Sequence, residues 1–532
     1  MSSHGPNRHR GHAEAIELEL FTHRFAAIAW QMGEALRRTA LSVNVKERLD
    51  FSCALLDPDG ELVVNAPHIP VHLGALGLCV RTVRDRLELA AGDVVVTNHP
   101  AFGGSHLPDV TVITPVFAGN GGEETLLGYV ANRAHHAEIG GSRPGSMPPD
   151  ARCLAEEGVV LEPQYLVRGK VPRWEQVRQR LEAGPFPSRA VEENLADLAA
   201  ALAANHRGAG ALRRLWRTHG TPKVLRYMRA LTGQSETRVK SALRRFGDRR
   251  YMAVENLDDG SALQVTIELE DGGGVVDFEG SAPVHPGNLN ATPAVVRSVV
   301  LYVLRLLIEG PLPLNEGLLR TVDLRIPTGI LNPPFPEDPQ QAPAVVGGNV
   351  ETSQRLVDTL LKALGVVACS QGTMNNLVFG NDRFGYYETV CGGCGAGPGY
   401  VGASAVHSHM TNTAITDPEL LEHRYPVRLE RFAVRTGSGG AGRYCGGDGV
   451  VRELTFLEPV SVSLLSQHRQ EAPYGMAGGE PGRCGKQVLI RRSGERVELA
   501  GVDACEAQAG DRLLLETPGG GGWGAAADEG QE

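Results

Sequence analysis

The sequence has few cysteines, no excess of positive charge and no long apolar run. Nine cysteines in 532 residues lack the density of a secreted disulfide scaffold, so we expect reduced thiols. The formal net charge of −10 provides no large positive field for phosphate backbones, which argues against a nucleic-acid-binding protein. The most apolar stretch, Ala294 to Leu314, is interrupted by charged residues and prolines, which argues against a membrane span.

Two further signals are missing from the sequence. The first ten residues are polar and no apolar segment follows them, which is unlike a signal peptide, so we expect a cytoplasmic protein. The glycine-rich runs 392–399, 437–442 and 519–522 match neither the GxxxxGK[ST] phosphate loop nor a strand-GxGxxG-helix unit. The sequence therefore predicts no self-contained ATP site.

What the chain does have is length, glycine and proline. At roughly 150 residues per domain, its length corresponds to about three or four domains. A composition of 42% hydrophobic and 21% charged residues is typical of a soluble globular protein. The 66 glycines and 33 prolines exceed average usage and indicate many turns and closely packed backbone.

Hydrophobic patterns predict a mixed α/β, multi-domain chain with a sheet-rich, metal-bearing N-terminal portion, a helical middle and a β-rich C-terminal portion. The proposed boundaries are 14–290 for the N-terminal portion with a helical insertion, 291–400 for an α/β middle portion and 401–524 for the β-rich portion. Apolar residues at helical spacing predict helices at 14–40, 187–247, 292–309 and 350–365.

Two polar segments lie at the ends of predicted strands, where side chains can converge. They are NHPAFGGSHLPD at 98–109 and NRAHHAEIGG at 132–141. If the strands between them pair antiparallel around a turn at 118–124, paired residue numbers sum to about 242. Asp109 then lies opposite roughly Arg133, at the same end of the hairpin as His135 and His136.

His106 and Asp109 are three residues apart with Pro108 between them, a spacing that suits a tight turn. Imidazole nitrogen and carboxylate oxygen together suit zinc, manganese or ferrous iron. A His-x-x-Asp pair is more often a local hydrogen bond or a turn. The nearby double histidine strengthens the metal hypothesis.

Asp50 is a candidate for a further oxygen ligand. It opens a strand in which Phe51, Cys53 and Leu55 share one face, so its own side chain points to the opposite face. The sequence alone does not establish that this face meets the His/Asp cluster.

Two weaker signals have simpler explanations. Cys391 and Cys394 have CxxC spacing without a second such pair, which favours a glycine-rich turn over a zinc or redox site. His407 and His409 would share one strand face, and we favour a hydrogen-bond network over ligand binding for them.

From about Glu17 to Trp523 the chain resembles the hydantoinase B/oxoprolinase family. That family includes the B subunits of ATP-dependent hydantoinases, the C-terminal half of 5-oxoprolinases and one subunit of acetone carboxylases. The resemblance is carried by KERLDFS at 46–52, APHIPVHLG at 66–74, GGSHLPD at 103–109, NRAHHAEIGG at 132–141, PGSMPPDA at 144–151, GGNVETSQRLVD at 347–358, QGTMNN at 371–376, HMTNT at 409–413, LEHRYPVR at 421–428 and TPGGGGWG at 517–524.

The resemblance implies a site for one divalent metal ion, zinc, manganese or iron. Its ligands would be Asp50, His106, Asp109 and either His135 or His136; the adjacent histidines face opposite ways, so the sequence leaves both open. A histidine or glutamate near the metal would act as general base. The candidates are His72, His99 and Glu138.

The resemblance also implies a partner, an A-type subunit that binds ATP and phosphorylates the carbonyl oxygen of a cyclic amide. The metal site of this chain would then deliver water to the activated carbon of a hydantoin, 5-oxoproline or related lactam. We therefore expect the hydrolytic subunit of an ATP-dependent cyclic amidase within a hetero-oligomer. The alternatives are a subunit of an ATP-dependent ketone carboxylase and a non-catalytic assembly subunit.

Overall fold

A computed structural model describes residues 6–66, 69–119 and 124–526, with only the helical backbone given for 6–12. Three features considered above fall partly outside these residues: residues 1–5 of the polar N-terminal segment, Pro67 and His68 of the 66–74 motif, and positions 120–123 of the predicted turn.

The predicted helices are confirmed, with shifted ends. No helix within the described residues combines the length and the apolar character that crossing a membrane requires. A short π-helical turn, Gly348–Thr352, precedes the ninth helix. The helices are α1 (Pro6–Thr39), α2 (Val43–Lys46), α3 (Ala75–Arg86), α4 (Leu154–Glu157), α5 (Trp174–Leu181), α6 (Val191–His219), α7 (Thr221–Arg244), α8 (Pro293–Leu306), α9 (Ser353–Leu364) and α10 (Pro418–Arg424).

The sheet-rich N-terminal portion is confirmed as one seven-stranded sheet with apolar layers on both faces. Phe51, Cys53 and Leu55 lie in the larger hydrophobic cluster, which includes residues of α1 and α6. Ala54 and Leu56 face a second cluster that includes residues of α3. The strand order is β2-β1-β5-β4-β3-β6-β7, with β1 (Phe51–Leu56), β2 (Leu62–Asn65), β3 (Val94–Thr97), β4 (Asp109–Ala118), β5 (Thr125–His135), β6 (Gln164–Arg168) and β7 (Val171–Pro172).

The register of β4 and β5 corrects the prediction by two residues. Asp109 pairs with His135 rather than Arg133. One residue of the difference comes from the turn, since Ala118 pairs with Thr125, and the other comes from a β-bulge beside Val116. A shift of two keeps every side chain on its predicted face, because side chains in a strand alternate with a period of two.

The remaining described strands form three further sheets. The β-rich C-terminal portion is confirmed, and one of its sheets, β13-β12-β16-β19, joins strands from both sides of residue 400. The other orders are β11-β10-β9-β8 and β14-β15-β20-β17-β18. The strands are β8 (Arg250–Asn256), β9 (Ala262–Glu270), β10 (Gly273–Asp277), β11 (Val322–Arg325), β12 (Asn376–Gly380), β13 (Gly385–Thr389), β14 (Val427–Val434), β15 (Val450–Phe456), β16 (Val460–Leu465), β17 (Lys486–Ile490), β18 (Arg496–Leu499), β19 (Val502–Ala507) and β20 (Arg512–Glu516). The boundaries proposed at 290 and 400 stay proposals.

The glycine-rich runs pack backbone against backbone in the C-terminal portion. Gly520 donates its N–H to the Gly447 carbonyl at 2.9 Å and accepts from Gly440 N–H at 2.8 Å. A Cβ atom on Gly520 would lie 2.0 Å from the Cys394 carbonyl oxygen. Similar backbone collisions, all within 2.3 Å, would follow from a Cβ atom on Gly393, Gly440, Gly446, Gly479 or Gly522.

We expect Gly520→Ala to destabilise the protein by at least about 2 kcal/mol, because the new methyl group meets backbone that cannot rotate away. Gly233→Ala is the matched control, since nothing lies within 4 Å of its Cβ position in α7. The control should be neutral or stabilising by up to about 1 kcal/mol. Chemical denaturation checks both, and equal stability of the two variants would contradict the packing described here.

Candidate functional site

The register of three neighbouring strands places Asp50, His135 and Asp109 in one row across the first sheet. Asp109 opens β4 and pairs with His135 at the end of β5. Asp50 directly precedes β1, and His135 N–H donates to its carbonyl oxygen at 3.0 Å. Side chains in such a row project from the same face of a sheet. The cluster therefore follows from strand pairing and from the residue types at three strand ends.

His106 reaches this row from the loop between β3 and β4. Asn98 holds that loop: its amide nitrogen donates to the Leu107 carbonyl at 2.8 Å, and its oxygen accepts from Leu161 N–H at 2.7 Å. Gly103 adopts a φ of +79° and passes so close to α3 that a Cβ atom would lie 2.6 Å from Cys79 Cα. The glycine is thus required both by its backbone conformation and by the close approach.

The ligand-type atoms of His106, Asp109 and His135 lie within 4.8 Å of one another. His106 Nε2 is 3.2 Å and His135 Nδ1 is 3.4 Å from Asp109 Oδ1. All three residues are buried, each at most 2% exposed. Among the described residues, His106 Nε2 and Asp109 Oδ1 have no hydrogen-bond partner. A buried polar atom without a partner lowers the stability of the folded state by about 1–3 kcal/mol.

These spacings fit a metal ion. Ligand atoms about 2.1 Å from zinc at tetrahedral angles lie about 3.4 Å apart, close to the two separations observed. An ion between them would also give His106 Nε2 and Asp109 Oδ1 the partner they lack. His106, Asp109 and His135 are therefore the residues that fit a divalent cation. Asp50 stands beside them in the same row, although its carboxylate lies outside the 4.8 Å group.

The electrostatics of the cluster favour the ligand forms of its side chains. Burial opposes the ionisation of Asp109, but His106 and His72 outweigh it and hold the pKa of that carboxyl well below its usual range. Burial lowers the pKa of His135, against the opposing effect of Asp109 and Asp50. An ionised carboxylate and a neutral imidazole are the forms that bind metals.

His72 is brought to the cluster, where it orients Asp109. Its Nε2 lies 3.2 Å from Asp109 Oδ2, and its Nδ1 lies 3.1 Å from Ser52 Oγ. Ser52 Oγ accepts a hydrogen bond from Ile69 N–H at 2.9 Å, so the Ser52 hydroxyl proton can be donated to His72 Nδ1. This hydrogen-bond pattern assigns the ring proton of His72 to Nε2, which faces Asp109. Ser105 Oγ donates to the same Asp109 oxygen at 2.5 Å. These contacts occupy Oδ2 and leave Asp109 Oδ1 as the oxygen that faces His106 and His135.

The other predicted site residues lie apart from the cluster. Asn194 Nδ2 lies 3.1 Å from His136 Nδ1, on the side of the sheet covered by α6. His99 accepts from Ala101 N–H at 3.1 Å and pairs with Glu162 at 3.1 Å. The catalytic roles of His72, His99 and Glu138 stay predictions.

Glu138 is buried in a tight turn after β5. It accepts from the N–H groups of Gly140 at 2.6 Å and Gly145 at 2.9 Å, and pairs with Arg189 at 3.0 Å. Burial raises the pKa of Glu138 despite Arg189. The turn therefore uses this carboxyl to hold its own backbone.

Tyr387 contacts the cluster, Arg48 contacts Tyr387, and sequence reasoning missed both residues. The Tyr387 ring stacks on His135 with centroids 4.7 Å apart, and the Arg48 guanidinium lies 4.5 Å from the Tyr387 centroid. Tyr387 Oη donates to Asn376 Oδ1 at 2.9 Å. Arg48 stands in the 46–52 motif and had a weak signal, whereas nothing in the sequence near Tyr387 links it to position 135.

The structure also shows the surroundings of the two weaker signals. Cys391 and Cys394 are free thiols. His407 and His409 do not share a strand, because both lie outside β-strands and His409 adopts a left-handed backbone with φ of +54°. His409 Nε2 lies 3.0 Å from Asp358 Oδ1, which confirms the favoured hydrogen-bond contact for that histidine.

Known proteins resemble this chain over nearly its whole length. It is 46% identical to 5-oxoprolinase 1 of Arabidopsis thaliana over 96% of this chain but 42% of that protein, and it spans a similar two-fifths of several other curated relatives. An ATP-dependent caprolactamase from Pseudomonas jessenii has a TM-score of 0.85 and 26% identity, covering 96% of this chain and 91% of that one. An acetone carboxylase has a TM-score of 0.83 over 96% of this chain and 76% of its own, and at 16% identity it shows the fold alone.

The family model of hydantoinase B/oxoprolinase matches residues 14–526, which include every strand of the four sheets and each residue of the cluster. The chain therefore belongs to the hydantoinase B/oxoprolinase family.

Proposed function

We propose that this chain is the metal-dependent hydrolytic subunit of an ATP-dependent cyclic amidase, opening the ring of a hydantoin, 5-oxoproline or related lactam. The observation that carries the proposal is the convergence of His106, Asp109 and His135 on one buried point, where His106 Nε2 and Asp109 Oδ1 have no hydrogen-bond partner among the described residues. Asp50 is the proposed fourth ligand, since it stands next to His135 in the row of strand ends. His136 is not proposed as a ligand, because its ring faces Asn194.

The residues of the chain would hold and orient the reacting groups. A divalent ion, zinc, manganese or iron, would supply Lewis acidity that makes water a stronger nucleophile at neutral pH. His72 and Ser105 fix the Asp109 carboxylate from behind, and Tyr387 fixes the plane of His135. Such supporting contacts keep a site in its working geometry.

The chemistry proposed for the amide carbon needs an activated substrate. An amide is a poor electrophile, and phosphorylation of its carbonyl oxygen makes the carbon susceptible to attack. We propose that a hydantoinase A-type, ATP-binding subunit supplies this step in a hetero-oligomer located in the cytoplasm. The similarity to an ATP-dependent caprolactamase and to longer 5-oxoprolinases supports this division of labour.

A second candidate function is a part in ATP-dependent carboxylation of a ketone. The fold shared with an acetone carboxylase favours it, because the same metal site would then serve a phosphorylated enolate that attacks carbon dioxide or bicarbonate. A non-catalytic assembly role is the third candidate, and it requires that the His/Asp cluster bind no metal.

We expect the purified chain to contain about one divalent metal ion, and we expect Asp50→Ala and His106→Ala to lose it. His99→Gln is the matched control, because His99 lies on the same segment but bonds to Ala101 and Glu162. Elemental analysis gives the metal content, and thermal unfolding shows whether each variant is folded. A freshly prepared wild-type chain without metal would favour the assembly role.

We expect Tyr387→Leu to weaken metal binding about 10- to 100-fold, because the ring that fixes His135 is lost. Tyr387→Phe keeps the stacked ring and loses only the hydroxyl contact to Asn376, so its affinity should stay within a few-fold of wild type. Competition with a chelator measures both. Equal losses in the two variants would show that the hydroxyl group, and not the stacking, supports the site.

We expect ring opening of a cyclic amide only when ATP and the A-type subunit are present with this chain. Product formation is followed by chromatography with each component omitted in turn. Turnover by this chain alone would rule out the two-subunit mechanism. Incorporation of labelled bicarbonate into a ketone, with no lactam hydrolysed, would select the carboxylase function instead.

A further inference from the structure

A cavity of about 300 Å³ opens beside the turn that follows β5. We call it the arginine pocket and define it by Glu138, Arg189, Glu193, Arg383, Arg424 and Tyr425. We propose that the arginine pocket binds the carboxylate of a lactam substrate. The inference rests on the proposed function and narrows its substrate class to acid-bearing rings.

Strand β13 shows that the pocket and the His/Asp cluster are neighbours. Gly385, which lines the pocket, and Tyr387 are two residues apart and therefore share one face of β13. The Cβ direction of Gly385 leads to Glu138 Oε2 at 3.6 Å, whereas Tyr387 stacks on His135. Same-face positions on a strand are about 7 Å apart, so one turn of the pleat along β13 separates the pocket wall from the ring that stacks on His135.

The ion pairs around the pocket leave one of its arginines, Arg424, available. Arg189 is already engaged, since it pairs with Glu138 and donates to the Gly141 carbonyl at 2.6 Å. Arg383 pairs with Glu458, which does not line the cavity. Arg424 has no ion pair within 4 Å in the described part of the chain.

Among the described residues that line the pocket, Glu193 and Glu138 are the acidic ones. Glu193 is the one that has no ion pair within 4 Å with an arginine of the described chain. Burial raises its pKa to about 7, so near neutral pH it carries only part of a charge. Arg189 and Arg383 each have an acidic partner, Glu138 and Glu458, so Arg424 is the cationic group of the lining that faces only a partly charged carboxyl. An anion in the pocket would complete the pairing of that guanidinium.

The shape and chemistry of the lining favour a carboxylate attached to a small ring. A guanidinium group binds a carboxylate through two parallel hydrogen bonds, and Arg383 and Arg424 are placed on separate elements of the wall. Phe384 and Tyr425, whose ring centroids are 5.4 Å apart, provide an apolar surface for ring methylenes. Inorganic phosphate shares the anion chemistry and is therefore a competitor in the test.

Binding of three probes to the full chain tests the proposal: 5-oxoproline, 2-pyrrolidinone, which is the same ring without the carboxylate, and inorganic phosphate. Calorimetry measures each without ATP or partner. We expect 5-oxoproline to bind at least about tenfold more tightly than 2-pyrrolidinone. The combined variant Arg383→Gln/Arg424→Gln should lose that preference, whereas Arg431→Gln, at an exposed position on β14, should keep it.

Equal binding of the two lactams, no saturation by 5-oxoproline at millimolar concentration, or a preference that survives the combined variant would each overturn the proposal. Phosphate binding more tightly than 5-oxoproline and displacing it would overturn the carboxylate assignment and mark a phosphate pocket. The metal content of the same samples distinguishes failure of this proposal from failure of the proposed function. A preference for 5-oxoproline in a chain without metal would support the carboxylate pocket and reject the hydrolytic role.

Discussion

The burial of one carboxylate, that of Asp109, constrains the whole N-terminal portion. An ionised carboxyl group removed from water is tolerated only when several donors or cations surround it. Here two histidines approach one oxygen, and His72 with Ser105 occupies the other. Supplying those groups requires β1, β5 and β4 to end in one row, the 98–108 loop to fold back on α3, and the 69–74 segment to lie against Ser52. The register of the sheet and the course of its loops thus both serve to surround one buried carboxylate.

Much of this arrangement was readable from the sequence because it depends on the alternation of strands. Asp50, His106, Asp109 and the double histidine were identified as candidates, and a register error of two residues left each on its correct face. The choice between His135 and His136 needed the positions of Asn194 and α6, which no local pattern specifies. The bulge beside Val116 was equally unreadable, since it depends on how glycine and its neighbours settle against the adjacent strand.

Residues contributed by distant parts of the chain were not predictable. Tyr387 is stacked on a histidine more than two hundred residues earlier in the sequence, and Arg48 is held by Thr389 and Thr413. Conversely, His99 and Glu138 stood close to ligand candidates in sequence but are used by their own turns, one to begin a short helical turn and the other to bind backbone N–H groups. Sequence proximity therefore indicates the region in which a site lies. Which polar side chains in that region remain free of other hydrogen bonds depends on the tertiary structure.

The backbone packing of glycines around Gly520 bears on how this portion can diverge. Every single-nucleotide change in a glycine codon that alters the amino acid introduces at least a Cβ atom, and six of these positions offer it no room. A single substitution at any of these glycines is therefore disfavoured. A side chain could be accommodated only if the two facing backbone segments moved apart together. The glycine runs should behave as a slowly changing signature by which distant members of the family can be aligned, even where the surrounding strands have exchanged most of their side chains.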